Sequence, residues 1–344
     1  MASEILSWDG AYRPDYKEKS WHDQETPIKG KILKGDQIPN VAYPVTIEPA
    51  PEDDCIIVNP AVKYRIIGNH PDGKLIFGNC SNEYAPIGND VILEKAFEAF
   101  QHNNIPADLV FALTMKNGMI VSYSFEIEKW SEFFAGGRPH KLHACITSSH
   151  NKSQGLLGFG TATNVLCANS HRMAMKGQKH TFSFKFFHNS KGKEGFSELP
   201  QLMEALTASA GLYSKLADEM AGKVITAGQA RAIAAEILFA KNVEANTRAV
   251  NTIEEITDLF QSGIANKGEN LFDLVNAVTQ LYTHGSMSSK VGVSGRLYSS
   301  EFGTGAEKKE EFLIGLQTDK GELISDDELN RLVAAGEKRL KVVA

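Results

Sequence analysis

The stretch Ala107-Asp-Leu-Val-Phe-Ala-Leu-Thr-Met115-Lys-Asn-Gly-Met119-Ile-Val-Ser-Tyr-Ser-Phe-Glu-Ile-Glu128 decides how this chain folds. Met119, Val121, Tyr123, Phe125 and Ile127 alternate with Ser122, Ser124, Glu126 and Glu128, the period of two of a half-buried strand. Leu109, Phe111, Leu113 and Met115 make a matching run on the other side of Asn117-Gly118. Asn-Gly between alternating runs predicts a β-hairpin closed by a type I′ turn, because that turn needs positive φ at both central residues.

Further strands follow on either side. Downstream, runs from His140 to Ser148 and from Lys179 to His188 read as a third and a fourth strand. Upstream, Cys55–Asn59, Val62–Ile67 and Lys74–Gly78 are short β-like runs. Asn89 or Asp90 can cap a helix reaching about His102, with Val91, Leu93, Phe97 and Phe100 near one face. After about residue 196 the pattern becomes helical. Thr226-Ala-Gly-Gln229, Thr252-Ile-Glu-Glu255 and Ser325-Asp-Asp-Glu328 each match a capping box. Residues 286–306 are glycine-rich and loop-like. The predicted class is α+β, a sheet-rich unit with β-hairpins followed by a mainly helical one. The predicted divisions are an extended N-terminal arm (1–53), a sheet-rich basic unit (54–195), a helical unit (196–315) and a C-terminal helical extension (316–344).

Charge is sorted along this plan. Between Glu132 and Glu194 there is no Asp or Glu, yet the block carries Arg138, Lys141, Lys152, Arg172, Lys176, Lys179, Lys185, Lys191, Lys193 and six of the ten histidines. Residues 1–132 carry net −8 and residues 194–344 net −7, while the whole chain is −6. Positive charge gathered into one block of an acidic chain points to a local anion-binding surface. Phosphate backbones are the commonest large polyanions, so nucleic acid is the first partner to consider.

Within the block, Gly155-Leu-Leu-Gly-Phe-Gly160 and Thr161 are expected to lead into a helix reaching about Lys176. Arg172 and Lys176 would then share a face, with Lys179 just beyond. The glycine spacing fits neither a Walker A loop nor a dinucleotide fingerprint. Ser148, Ser149, His150, Asn151, Lys152 and Ser153 read as a polar loop suited to sugar-phosphate contacts. Phe182, Phe184 and Phe186 alternate with Ser183 and Lys185, which suits either a sheet core or a base-stacking platform. The residues assigned to nucleic-acid contact are Lys141, His150, Asn151, Lys152, Arg172, Lys176, Lys179 and Lys185. His150 is the first candidate for a phosphate contact that strengthens as pH falls towards about 6. A zinc site is the competing expectation, with His143 and Cys145 on one strand face and Cys167 and His171 on one helix face. The four cysteines (Cys55, Cys80, Cys145, Cys167) are widely spaced, so reduced, buried thiols are expected. No catalytic motif stands out, and no cofactor or metal is assigned.

Several motifs occur in a fixed order: Trp21-His22, Phe77-Gly78 with Tyr84-Ala-Pro86, Ser149-His150-Asn151-Lys152-Ser153, Val165-Leu-Cys167-Ala-Asn169, Lys179-His180-Thr181, Asn276-Ala-Val-Thr279, and Arg296 with Phe302-Gly303-x-Gly305 and Lys308. Together they resemble the phage- and plasmid-borne family of domain of unknown function 932 over roughly residues 20–315. The family loop has Asp-Gly after its histidine where this chain has Asn151-Lys152, and the last thirty residues lie outside the pattern. The resemblance implies a role in DNA metabolism or host conflict. At the level of architecture alone, the chain is also similar to phage single-strand annealing proteins of the Rad-fifty-two type.

The leading expectation is a non-enzymatic DNA-binding protein that binds single strands and anneals them in recombination or replication, acting as a homo-oligomer. The alternatives are a counter-defence protein that blocks a host protein through its acidic flanks, and a nuclease or other DNA-processing enzyme. No apolar run approaches a membrane span and the first residues do not resemble a signal peptide, so no membrane partner and a cytoplasmic location in a bacterial host are expected.

Overall fold

The computed structural model describes residues 10–17, 26–51, 63–130, 132–151, 155–164, 170–172, 183–196, 199–239, 247–284 and 304–343. The strands are β1 (Ala11–Pro14), β2 (Thr26–Ile28), β3 (Val45–Pro49), β4 (Tyr64–His70), β5 (Gly73–Cys80), β6 (Ala107–Met115), β7 (Ile120–Ile127), β8 (Phe133–Ala135), β9 (Arg138–Ser149), β10 (Leu156–Asn164), β11 (Ser170–Arg172) and β12 (Ser183–Phe186). The helices of four residues or more are α1 (Asn89–His102), α2 (Ser190–Gly195), α3 (Leu199–Ala221), α4 (Ala227–Phe239), α5 (Thr247–Ser262), α6 (Leu271–His284), α7 (Thr304–Gly315) and α8 (Asp326–Val343). The fold is α+β, with strands concentrated before residue 190 and helices after it. The run Cys55–Asn59, the residues Lys152, Cys167, Lys176, Lys179, His180 and Phe182, and residues 285–303 lie outside the described residues. So do the motif segments Trp21-His22, 165–169, 179–181 and 296–303.

Two compact units emerge, and they interleave along the chain. The first comprises Met1–Ser131, His143–Gly160 and Ser183–Thr207; the second comprises Glu132–Leu142, Thr161–Phe182 and Ala208–Ala344.

In the first unit, β6 and β7 form the expected hairpin, paired from Met115↔Ile120 to Ala107↔Ile127. Its loop differs from the expectation. Lys116, Asn117 and Gly118 all have positive φ, at 56°, 58° and 76°, so four residues rather than two join the strands. The register also slips between Leu109 and Phe111, where Leu109 pairs with Phe125 but Phe111 pairs with Ser124. A bulge moves the following side chains to the other face. Phe111, Leu113 and Met115 are therefore not on the face of Leu109. Glu126 is buried as well, and Lys17 Nζ meets its Oε1 at 3.0 Å.

The strand order is β10-β9-β7-β6-β1-β2, with β12 on β10. The segment expected to be an extended arm contributes β1, antiparallel to β6, β2, parallel to β1, and β3, antiparallel to β4. Strands β3, β4 and β5 form a separate sheet over Tyr43, Val45, Ile66, Phe77 and Cys80. Helix α1 buries Ile92, Leu93, Ala96, Ala99 and Phe100, and the rings of Phe97 and Phe100 lie 5.4 and 5.0 Å from that of Phe125. Its N-cap is Gly88 and not a side-chain cap from Asn89 or Asp90.

Where a helix is expected after Gly160, the described residues form strands instead, 156–164 as β10 and 170–172 as β11. Phe184 and Phe186 explain Gly155 and Gly158. Gly158 pairs with Phe184, and a Cβ on it would stand 2.0 Å from that ring; a Cβ on Gly155 would stand 2.0 Å from the Phe186 carbonyl oxygen. The glycines make room for an aromatic strand, not for a phosphate.

In the second unit, β8 and the start of β9 form a hairpin at Gly136-Gly137, whose φ values of 60° and 71° suit a two-residue turn. A Cβ on Gly136 would collide with Phe272 at 2.2 Å. Just beyond, Arg138 forms a buried ion pair with Asp273 of α6, donates to Asn266 Oδ1 at 3.2 Å and lies 5.4 Å from the Phe272 ring centroid. Asp273 Oδ2 also accepts the amide of Glu269 at 3.0 Å. The capping boxes at Thr226–Gln229 and Ser325–Glu328 form with reciprocal bonds of 2.9 and 3.2 Å, and 3.0 and 3.3 Å. Thr252 caps nothing. It lies inside α5 and its hydroxyl donates to the Arg248 carbonyl. No helix among the described residues is long and apolar enough to cross a membrane.

Gly118 gives a test of the hairpin. Its carbonyl accepts Tyr43 Oη at 2.8 Å, and a Cβ would stand 2.4 Å from that oxygen. Gly118→Val combines a β-branched residue at positive φ with this clash and is expected to cost roughly 1–3 kcal/mol. Denaturant unfolding measures it, and an unchanged midpoint would contradict the role given to the turn.

Candidate nucleic-acid interface

Of the eight residues assigned to nucleic-acid contact, Lys141, His150, Asn151, Arg172 and Lys185 lie among the described residues. Lys152, Lys176 and Lys179 lie outside the described residues. Arg172 lies on β11 with its backbone opposite Thr161, so it does not share a helix face with Lys176. Lys141 is half-buried on β9 in the second unit, whereas His150, Asn151 and Lys185 belong to the first. Arg138, counted in the basic block, is committed to Asp273.

His150 is a correction. Of the polar loop expected around it, Ser148 and Ser149 are the buried end of β9, and His150 and Asn151 follow directly. Its ring is fully buried, 4.6 Å from that of His188 and stacked at 5.9 Å on Phe77. Nε2 lies 3.1 Å from Asn89 Oδ1, and Nδ1 lies 3.0 Å from Tyr84 Oη. A carbonyl oxygen only accepts, so Nε2 carries the proton and Nδ1 accepts from Tyr84. Both nitrogens are used, leaving none for a phosphate. Asn151 Oδ1 in turn accepts the Ser149 hydroxyl at 2.6 Å.

His188 is fixed in the same way. The Ile87 amide donates to its Nδ1 at 3.3 Å, which places the proton on Nε2, 3.0 Å from Ser148 Oγ. The Ala85 amide donates to the His188 carbonyl at 2.9 Å. A serine nucleophile needs an imidazole nitrogen that accepts its proton. Nε2 is protonated here, so His188 orders the segment and does not activate Ser148. Burial, with His188 adding a smaller push, holds the His150 pKa well below 6.5, and burial brings His188 to about 4. The zinc expectation changes too, because His171 is on a strand and Cys167 lies outside the described residues. Ser124 Oγ sits between the other pair, 3.5 Å from His143 Nδ1 and 3.6 Å from Cys145 Sγ. Among the described residues no three His, Cys, Asp or Glu side chains are grouped to hold a metal ion.

Among the described residues of the basic block, the exposed basic side chains lie on and just after β12. Phe184 and Phe186 have rings 5.5 Å apart, and Phe186 meets Phe196 edge-on at 6.1 Å. His188 turns into the core. Lys185 and Phe187 are exposed between them, with Lys185 Nζ 5.3 Å from the Phe187 ring centroid. Asn189 then caps α2 by accepting the Gly192 amide at 2.7 Å, which leaves Lys191 and Lys193 exposed. Sequence reasoning counts Lys191 and Lys193 in the block but assigns them no contact, and it misses Phe187. The available signal is the broken alternation in Phe186-Phe187-His188.

Because His150 and His188 remain neutral when folded and regain ordinary pKa values near 6.5 when unfolded, the unfolded chain binds more protons below that pH. Stability therefore falls with pH from about 6.5 towards about 4. Each such histidine adds a slope of about 1.4 kcal/mol per pH unit. Urea unfolding between pH 6.5 and 5 should show a shallower slope in His188→Gln than in the parent; equal slopes would contradict the assignment.

No curated protein and no solved structure matches this chain. One family model matches residues 138–310, half of the 344 residues, from the start of β9 into α7 and including the exposed basic segment. The chain thus belongs to the family described as "Domain of unknown function (DUF932)".

Proposed function

We propose that this protein binds nucleic acid, with single-stranded DNA as the favoured ligand, and acts in strand annealing during recombination or replication. The observation that carries the proposal is the segment Ser183–Lys193, which exposes Lys185, Lys191 and Lys193 and holds no acidic side chain before Glu194. Surface lysines in a run without carboxylates keep their charge for an external anion, and phosphate contacts of this kind supply most sequence-independent affinity. Arg138 shows the contrast, since Asp273 already neutralises it.

A second reading, binding to a host protein through an acidic surface, has one observation in its favour. In the second unit Ile237, Ile314 and Leu332 line a groove together with Glu236, Glu307, Glu310 and Glu311. Arg339 and Lys308 already meet Glu236 and Glu311, which reduces its pull on a basic partner.

Titration of a labelled single-stranded oligonucleotide at several salt concentrations tests the first reading. Lys191→Ala with Lys193→Ala should weaken binding about equally across sequences and lower the slope of log K against log salt by about 0.7 for each phosphate left without its lysine. Unchanged affinity and slope in the folded double variant would remove the segment from the interface. A tight DNA-independent complex with a host protein would favour the second reading.

A further inference from the structure

Resting on that reading, we infer that Phe187 is a base-stacking residue that makes the interface selective for single-stranded nucleic acid. A lone exposed apolar side chain needs no function of its own. Phe187 differs in how it is held and in what surrounds it.

Its ring is 61% exposed although the residues on both sides point inward. Phe186 packs on Phe196, and His188 is tied to Ser148 and Ile87. The Phe187 carbonyl accepts the Asn189 amide at 2.8 Å, and it lies where a Cβ on Gly192 would stand, 1.8 Å away. The backbone is thus fixed from both sides, and the ring is presented by a rigid support. Ordering cost on binding is low for a group already held in place.

The surroundings select the ligand. Lys185 places its ammonium over one part of the ring, and Lys191 and Lys193 follow on α2. A flat π-face beside several cations matches a strand whose bases are unstacked and whose phosphates run alongside. A duplex keeps its bases stacked and offers only the phosphates. An anionic lipid surface would also attract the lysines, but one ring beside the hydrogen-bonding groups of Asn189 and Ser190 is a poor wedge for hydrocarbon.

The test compares Phe187→Ala, Phe187→Trp and the lysine double variant on a labelled oligothymidylate strand, a duplex of equal length, and vesicles containing phosphatidylserine. Phe187→Ala should weaken single-strand binding about 5- to 100-fold at unchanged salt slope, leave duplex binding nearly unchanged, and be rescued by Phe187→Trp. Circular dichroism separates this effect from a loss of folding. If Phe187→Ala binds the single strand like the parent while the lysine variant is weakened, the stacking inference falls and the phosphate reading stands. If the parent binds no oligonucleotide, both fall. Vesicle binding that depends on Phe187, without an effect on DNA, would overturn the inference in favour of a lipid surface.

Discussion

The buried pairing of His188 with His150 is the constraint on which the proposed interface depends. Each imidazole is neutral, and each ring nitrogen has a partner. Through them the segment after β12 is fastened to the end of β9, to the residues before α1 and to Tyr84. An unpaired buried imidazole would be costly, so the network strongly favours one arrangement. That arrangement points His188 inward and so points Phe187 outward.

The same chemistry makes acid a destabilising condition. A histidine kept dry and neutral cannot also serve as a pH-sensitive phosphate contact, and the two ideas assign opposite consequences to a falling pH. In the sequence, His150 reads as a ligand because Ser148, Ser149, Asn151 and Lys152 around it are polar. The structure uses that polarity internally. Ser148 meets His188, Ser149 meets Asn151, and His150 meets Tyr84 and Asn89.

What can be read from the chain follows from local rules. The hairpin at Asn117-Gly118, helix α1 and two capping boxes depend on neighbouring residues, and each is present. The failures are partly local, as in the loop length and the N-cap of α1, and partly tertiary. Gly155 and Gly158 look like flexible residues before a helix, but their lack of a Cβ admits Phe186 and Phe184 of a distant strand. Thr252 carries the capping pattern, yet α5 begins earlier and absorbs it. Val110 gives no hint of the bulge that shifts the register of β6. Of the candidate interface, the charge sorting and Lys185 are legible in the sequence. Phe187 is not, because its exposure depends on His188 being inside.

The basic block also proves to be two things at once. Arg138 and Gly136-Gly137 serve the second unit, where the guanidinium, Asp273 and Phe272 brace a hairpin against α6. Lys185, Lys191 and Lys193 are exposed in the first unit. The most direct measurement is ultraviolet cross-linking of the intact protein to a bound single-stranded oligonucleotide, followed by peptide mapping. The expected result is a cross-link at Phe187, within the segment Ser183–Lys193. Cross-links confined to other segments, with none between residues 183 and 193, would contradict the proposed interface.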